Sequence, residues 1–243
     1  MSETARPAFY ALAPGGWRDY VTLLHPPYTV WHLSYVAIGA AIAPHFRWWV
    51  LGLALAAFFL GMGIAAHALD ELHGRPLETR IPRRRLIALA VVSLAGAAAI
   101  GIVTALYTSL WLLVFVASGT FIAVAYNLEL FGGRFHGDLW FALAWGAFPV
   151  LTTYFAMAET IRVEAILAAA FAALLSHTQR VLSTPVRRLR RRATSVSGRI
   201  DLVDGTTIPI TRASLTADNE RALRMLTAAV VVLAVALLVL RVT

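Results

Sequence analysis

An imidazole and two carboxylates, His67, Asp70 and Glu71, stand where a long apolar run from Trp48 to Leu69 gives way to the loop Gly74-Arg-Pro-Leu-Glu-Thr-Arg-Ile-Pro-Arg-Arg-Arg85. In a helix, positions i, i+3 and i+4 share one face, so the three groups project together at the end of that run. Ionisable groups in or just below a membrane helix are costly in lipid and usually face protein or water, where they serve a function. Carboxylates suit a hard divalent cation and arginines suit phosphate oxygens. Side by side at a bilayer surface, the two sets fit an enzyme that handles a lipid diphosphate. Plainer readings stand beside this one. Asp70 could pair with Arg75 or Arg80 in the head-group region, Glu71 could do the same, and His67 could be a helix-packing histidine.

Two further clusters carry candidate chemistry. Tyr126-Asn127 precedes Gly132-Gly-Arg-Phe-His-Gly-Asp138, where glycines let backbone amides approach an anion and Arg134 offers a planar fork to phosphate or carboxylate. Asp138 is either a metal or acceptor ligand or a carboxylate favoured by the start of a helix. The third cluster, Ser176-His177-Thr-Gln179-Arg180, places His177 and Arg180 on one helical face. Arg180 also reads as an interfacial cation extending toward water. No zinc spacing, Ser-His-Asp order, Walker loop or dinucleotide fingerprint occurs. Gly61-Met-Gly63 reads as helix packing.

The elements that must position these residues are membrane helices. The chain has 243 residues, 59% hydrophobic and only 14% charged, whereas a soluble domain carries about a quarter of its residues as charge. Apolar segments recur at 28–44, 49–69, 86–106, 109–126, 138–158, 163–180 and 223–240, which predicts an all-α polytopic bundle of about seven spans. The expected organisation is an N-terminal segment over 1–27, a six-span bundle over 28–180, an arginine-rich segment over 181–222 and a last span over 223–243. Within 181–222, the alternation around Asp204-Gly205 favours a β-hairpin. Thr216 is expected to cap the last helix. Met1 to Trp17 lacks the apolar core of a cleavable signal peptide.

The net charge is +8 and all 21 basic residues are arginine. They gather in loops on one side, so the positive-inside rule places the N-terminus and the arginine loops in the cytoplasm and Thr243 outside. This distribution explains the basic balance without nucleic acid. The run Val186 to Arg192 is expected to rest against anionic lipid head groups. Cysteine is absent, which excludes disulfides, cysteine-ligated zinc and thiol catalysis.

Leu24-His-Pro-Pro27, Ala37-Ile-Gly-Ala-Ala-Ile-Ala-Pro44, the junction at 66–82 with Arg75-Pro-Leu and Arg80-Ile-Pro, and Tyr126 followed by Gly132-Gly-Arg and Gly137-Asp138, with Gly146 and Tyr154 beyond, form an ordered set. Over residues 18 to 180 this set resembles the UbiA superfamily of intramembrane prenyltransferases, and its latter part is similar to the naphthoate (menaquinone-pathway) branch. The resemblance implies a helical bundle around a cavity open to the bilayer, with Mg²⁺ held by two aspartate-rich motifs against an isoprenyl diphosphate. An aromatic or other lipophilic acceptor would then take the allylic carbon. Aligning the central Asp of the family's Asn-x-x-x-Asp-x-x-x-Asp motif with Asp70 puts Ala66 at the Asn and Gly74 at the last Asp, leaving His67 and Glu71 as substitutes. Arg75 and Arg80 then become diphosphate or loop contacts, and Tyr126 and Arg134 fall near the diphosphate. The place of the second motif reads His177-Thr-Gln-Arg-Val-Leu-Ser-Thr, with no acid before Asp201.

The resulting expectation is a divergent prenyltransferase. Asp70, Glu71, His67, Tyr126 and Asp138 would be catalytic, and Asp70 and Glu71 would hold the metal. Arg75, Arg80, Asn127, Arg134, His177 and Arg180 would bind substrate. The alternatives are a non-catalytic isoprenoid-, quinone- or lipid-binding relative, or a prenyl-diphosphate enzyme of different chemistry, a cyclase or a diphosphate lyase. Transport is disfavoured because no span carries a charge near its middle or a central Pro-Gly break.

Overall fold

Apolar runs of about 17 to 21 residues yield helices, and the computed structural model describes residues 6–242 of such a bundle. Residues 1–5 of the expected N-terminal segment, and Thr243, lie outside the described residues. In chain order the elements are α1 (Trp17–Leu23), α2 (Pro26–Ile42), α3 (Trp48–Leu72), α4 (Arg83–Tyr107), α5 (Leu112–Asn127), α6 (Asp138–Ala158) and α7 (Val163–Arg192). The strands β1 (Arg199–Asp201) and β2 (Thr207–Pro209) and the helix α8 (Arg212–Val239) follow.

Five of these helices, α3, α4, α6, α7 and α8, are long and apolar enough to cross a membrane. The other two expected spans form shorter helices. The α2 helix has 17 residues and α5 has 16, about 25 Å each at 1.5 Å per residue. The α2 helix is enclosed by α8, α6 and α3, and it buries Trp31 and Tyr35 completely. Lipid tails are as apolar as leucine, so close backbone approach at small residues supplies the packing. A Cβ added at Gly39 would stand 2.5 Å from the Val150 carbonyl oxygen, and one at Gly146 would stand 2.5 Å from that of Ala172. These glycines are the seams joining α2 to α6 and α6 to α7.

Arginines close the end of the bundle away from the arginine loops. Arg47 donates to the carbonyls of Ala156 and Met157, each at 2.8 Å, and Arg241 donates to those of Ala41 at 2.5 Å and Ala43 at 2.6 Å. Carbonyls at helix C-termini lack intrahelical partners, and cationic side chains satisfy them.

Two expectations about the 181–222 segment change. The α7 helix runs through the arginine run to Arg192 despite Pro185 in its interior, and α8 starts at Arg212. The cap of α8 is Thr211 rather than Thr216: Thr211 Oγ1 accepts from the Ser214 amide at 3.0 Å, Ser214 Oγ accepts from the Thr211 amide at 2.9 Å, and Thr216 is buried inside the helix. The hairpin forms as the alternation predicts, pairing Arg199 with Pro209 and Asp201 with Thr207 around Gly205 at φ 84°. Asp204 closes the turn by accepting from the Thr206 hydroxyl and amide, which holds its carboxyl below the usual range.

Candidate functional site

A cavity of about 660 Å³ opens among the arginine-rich ends of α2, α3, α5, α6 and α7, with residues 7–10 along one edge. Its wall carries six arginines, Arg75, Arg180, Arg187, Arg188, Arg191 and Arg192, against three carboxylates, Asp70, Glu78 and Glu129. Five histidines, at 25, 32, 67, 73 and 136, complete the polar lining. A smaller apolar groove of about 110 Å³, walled by α3, α4, α5 and α6, reaches the same two side chains, Met62 and Trp145, that line the chamber. A strongly cationic chamber thus adjoins an apolar groove.

Both helices that meet at this junction carry wide i→i+5 turns, over Phe59–Ala66 in α3 and Ala142–Ala147 in α6. Such turns are rare and collect at functional sites. Backbone strain collects there as well. Of six non-glycine residues with positive φ among the described residues, four (His25, Arg75, Glu78 and Glu129) line the cavity. Left-handed conformations cost non-glycine residues about 1–3 kcal/mol and persist where their surroundings over-determine them.

Asp70 faces the chamber, and among the described residues its carboxylate accepts no hydrogen bond and lies within no ion pair. His67 also lines it. Its Nδ1 lies 3.0 Å from the Gly63 carbonyl, an atom that can only accept, so Nδ1 carries the proton and Nε2 presents a lone pair. The His25 ring stacks on that of His67, with centroids 4.1 Å apart and planes 9° apart. Tyr10 lies against the other side of the pair, its hydroxyl 2.8 Å from His25 Nδ1. Burial, then the neighbouring His67, pushes His25 well below the usual imidazole range, and burial pushes the Tyr10 hydroxyl up.

Glu71, expected as a metal ligand and catalytic carboxylate, points elsewhere. It is fully buried and spends both oxygens on the arginine loop. Oε2 accepts from the Leu77 amide at 3.0 Å, and Oε1 accepts from the Thr79 amide and hydroxyl, each at 2.8 Å. Asp19 of α1, unremarked in the sequence, ties the loop to the N-terminal segment, one oxygen accepting from the Arg80 amide at 3.0 Å and the other from that of Gly15 at 2.9 Å. The two carboxylates hold the loop so that Arg75 reaches the chamber, bracing its guanidinium on the carbonyls of Thr79 at 2.7 Å and Ile81 at 3.1 Å.

Three other expected residues come together at the start of α6. Arg180 donates to Asp138 through Nε and to the Tyr126 hydroxyl through Nη1, both at 2.7 Å, with its guanidinium 5.3 Å from the Phe141 ring centre. Tyr126 and Arg180 line the cavity, and Asp138 supports them from outside it. Asn127 lines it too, anchored by its side-chain amide to the Ala123 carbonyl at 2.7 Å. Arg80, Arg134 and His177 are exposed and form no part of the lining. His177 lies on the outer face of α7. The Gly132-Gly133 turn, at φ 66° and 77°, precedes Arg134, which stays outside the cavity.

The sequence reading missed the face of α7. Arg180, expected to bind substrate, is followed by Thr184, Arg187 and Arg191 at i+4, i+7 and i+11, and all turn into the cavity; for Arg187 and Arg191 head-group contact was expected. That period is present in the sequence and lies hidden within a run of arginines. Arg191 also donates to the Pro7 carbonyl at 3.3 Å and Arg190 to that of Arg6 at 3.3 Å, which draws the N-terminal strip along the chamber edge.

The magnesium centre implied by the resemblance does not fit this donor set. Glu71 is committed to the loop, and Asp70 stands among guanidinium groups. The place of a second acidic motif brings Gln179, Arg180, Ser183 and Thr184 to the cavity, and no acid. Among the described residues no three His, Asp or Glu side chains gather in a group able to hold a metal ion. No family model, curated protein or solved structure matches this chain.

Proposed function

We propose that this membrane protein binds an isoprenyl diphosphate and transfers its isoprenyl group to a lipophilic acceptor. The observation that carries the reading is the meeting of the arginine chamber and the apolar groove at Met62 and Trp145. A molecule with a polyanionic head and a hydrocarbon tail satisfies both compartments at once. In the proposed arrangement seven helices cross the bilayer, the short α2 and α5 among them, with the arginine-rich end in the cytoplasm.

In the transfer, the bond from the allylic carbon to the diphosphate oxygen breaks, and its electron pair leaves with the diphosphate. Arg75, Arg180 and Arg187 meet the growing charge with preorganised donors, the kind of electrostatic term that often dominates catalysis. The acceptor's nucleophilic atom bonds the allylic carbon and gives up its proton. Asp70 and the Nε2 lone pair of His67 are the acceptor groups at hand on that wall. Trp145, Phe141 and Met62 keep water from the electron-deficient carbon.

The test is pyrophosphate release from geranyl, farnesyl and geranylgeranyl diphosphate by protein in lipid nanodiscs, with and without aromatic acceptors, together with mass analysis of the lipid extract. A prenylated acceptor supports transfer, whereas release without one points to cyclisation or lysis. The single unpartnered deep carboxylate favours a second reading, a non-catalytic isoprenoid- or quinone-binding protein. Tight binding of geranylgeranyl diphosphate without turnover would select it.

A further inference from the structure

We infer that the chamber holds its anionic head group by arginine alone, with Arg187 and Arg191 on α7 as the principal contacts, so that binding of a diphosphate needs no divalent cation. The inference rests on the reading of the site as a prenyl-diphosphate site and departs from the metal chemistry that the resemblance implies.

Charge on the wall decides the point. Six guanidinium groups face three carboxylates, and Glu129 lies 3.8 Å from both His73 and His136 at the rim. Asp70 is the one carboxylate deep in the chamber, on the wall facing α7. Mg²⁺ is held through one or two carboxylates together with waters and substrate phosphates, and this wall offers it Asp70 alone. One carboxylate amid cations gives it little attraction and much repulsion.

A diphosphate meets the opposite field, and guanidinium forks match its oxygens in pairs. The arginines of α7 are available to it. Among the described residues Arg187 donates only to Thr184 of its own helix, at 3.1 Å. Arg191 uses Nε on the Pro7 carbonyl, leaving its terminal nitrogens for another acceptor. Arg180 is the fixed member, aligned by Asp138 and Tyr126. Arg180, Arg187 and Arg191 share one face of α7, two turns and then one turn apart, so they meet the head group at successive depths.

The experiment is equilibrium binding to protein in uncharged phosphatidylcholine nanodiscs, with geranylgeranyl diphosphate, geranylgeraniol and inorganic pyrophosphate as probes, in EDTA and in Mg²⁺. We expect the dissociation constant for geranylgeranyl diphosphate to agree within about twofold in the two conditions and to rise with salt. Arg187→Gln should weaken it about tenfold or more and Arg187→Lys less, while geranylgeraniol binding stays unchanged in both. Among the described residues Arg187 makes no hydrogen bond or ion pair outside α7, so the variant should keep its fold, and unchanged thermal unfolding verifies that. Binding that appears only with Mg²⁺ and survives Arg187→Gln overturns this inference and leaves the prenyl-diphosphate reading intact. Equal binding of inorganic pyrophosphate and the prenyl diphosphate in EDTA supports the arginine site and overturns the prenyl reading. Failure of both anions to bind in either condition overturns both.

Discussion

Replacing Glu71 separates a loop anchor from a catalytic carboxylate. Its carboxylate accepts three hydrogen bonds, from the amides of Leu77 and Thr79 and from the Thr79 hydroxyl. Leu77 and Thr79 are themselves buried, each 4% exposed. Glu71→Ala leaves three donors without partners, at about 1–3 kcal/mol for each buried group, and it adds a void. A total loss of about 4–6 kcal/mol follows, a large part of the stability of an ordinary domain. Glu71→Gln keeps the shape and one acceptor oxygen but turns an NH₂ toward one of the amides. Its cost is about 2–3 kcal/mol.

The loop reports this directly. Trypsin cuts after arginine, and the Arg80–Ile81 bond is protected while Asp19 holds the Arg80 amide and Glu71 holds Thr79. Both variants should unfold at lower temperature in detergent, Ala more than Gln. Cleavage at Arg80–Ile81 should speed up in the same order, well below the unfolding temperature. A Glu71→Gln protein with unchanged unfolding and unchanged cleavage, but without diphosphate release, would refute the assignment and return Glu71 to the reaction.

Other expected outcomes follow from the same geometry. Asp70→Asn should lower pyrophosphate release by about 10² while leaving thermal unfolding unchanged, because no partner is lost; unchanged turnover would remove Asp70 from the mechanism. Gly146→Ala puts a Cβ 2.5 Å from the Ala172 carbonyl oxygen and should destabilise the bundle by about 1–3 kcal/mol. Gly52→Ala meets open space and should be neutral or stabilising by up to about 1 kcal/mol in the same melts. His25 lies well below the ordinary imidazole pKa when folded, chiefly through burial. The unfolded chain therefore binds the extra proton, so stability should hold above pH 6.5 and fall by about 1.4 kcal/mol per pH unit below it. His25→Gln should make that limb less steep in pH-dependent unfolding.

Hydropathy made the long helices legible because a bilayer leaves the backbone little choice. A run such as Trp48–Leu72 must satisfy its own amides, and a helix does so. The hairpin was equally plain, since Asp204-Gly205 supplies the positive φ the turn demands. Helix ends were harder to read. Pro185 and a run of arginines look like the end of α7, yet packing against α6 and α8 carries the helix onward to Arg192. At the site, spacing brought His67 and Asp70 to one wall but could not separate Asp70 from Glu71. One residue is about 100° of helix, enough to turn Glu71 from the chamber to the loop.

That turn also bears on the balance of charge. The loops on one side of the chain read as strongly basic, which the positive-inside rule explains without any site. What the fold adds is depth. Arg180, Arg187 and Arg191 leave the interface and enter a chamber, where fixed cations act through fewer screening ions than on an open surface. Asp19 and Glu71, two of the carboxylates that could have offset them, are buried against backbone amides instead. The same two contacts that stabilise the arginine loop thus leave the chamber's positive field largely unopposed. Stability of the loop and affinity for an anion come from one arrangement, and substitutions at Glu71 should shift both together.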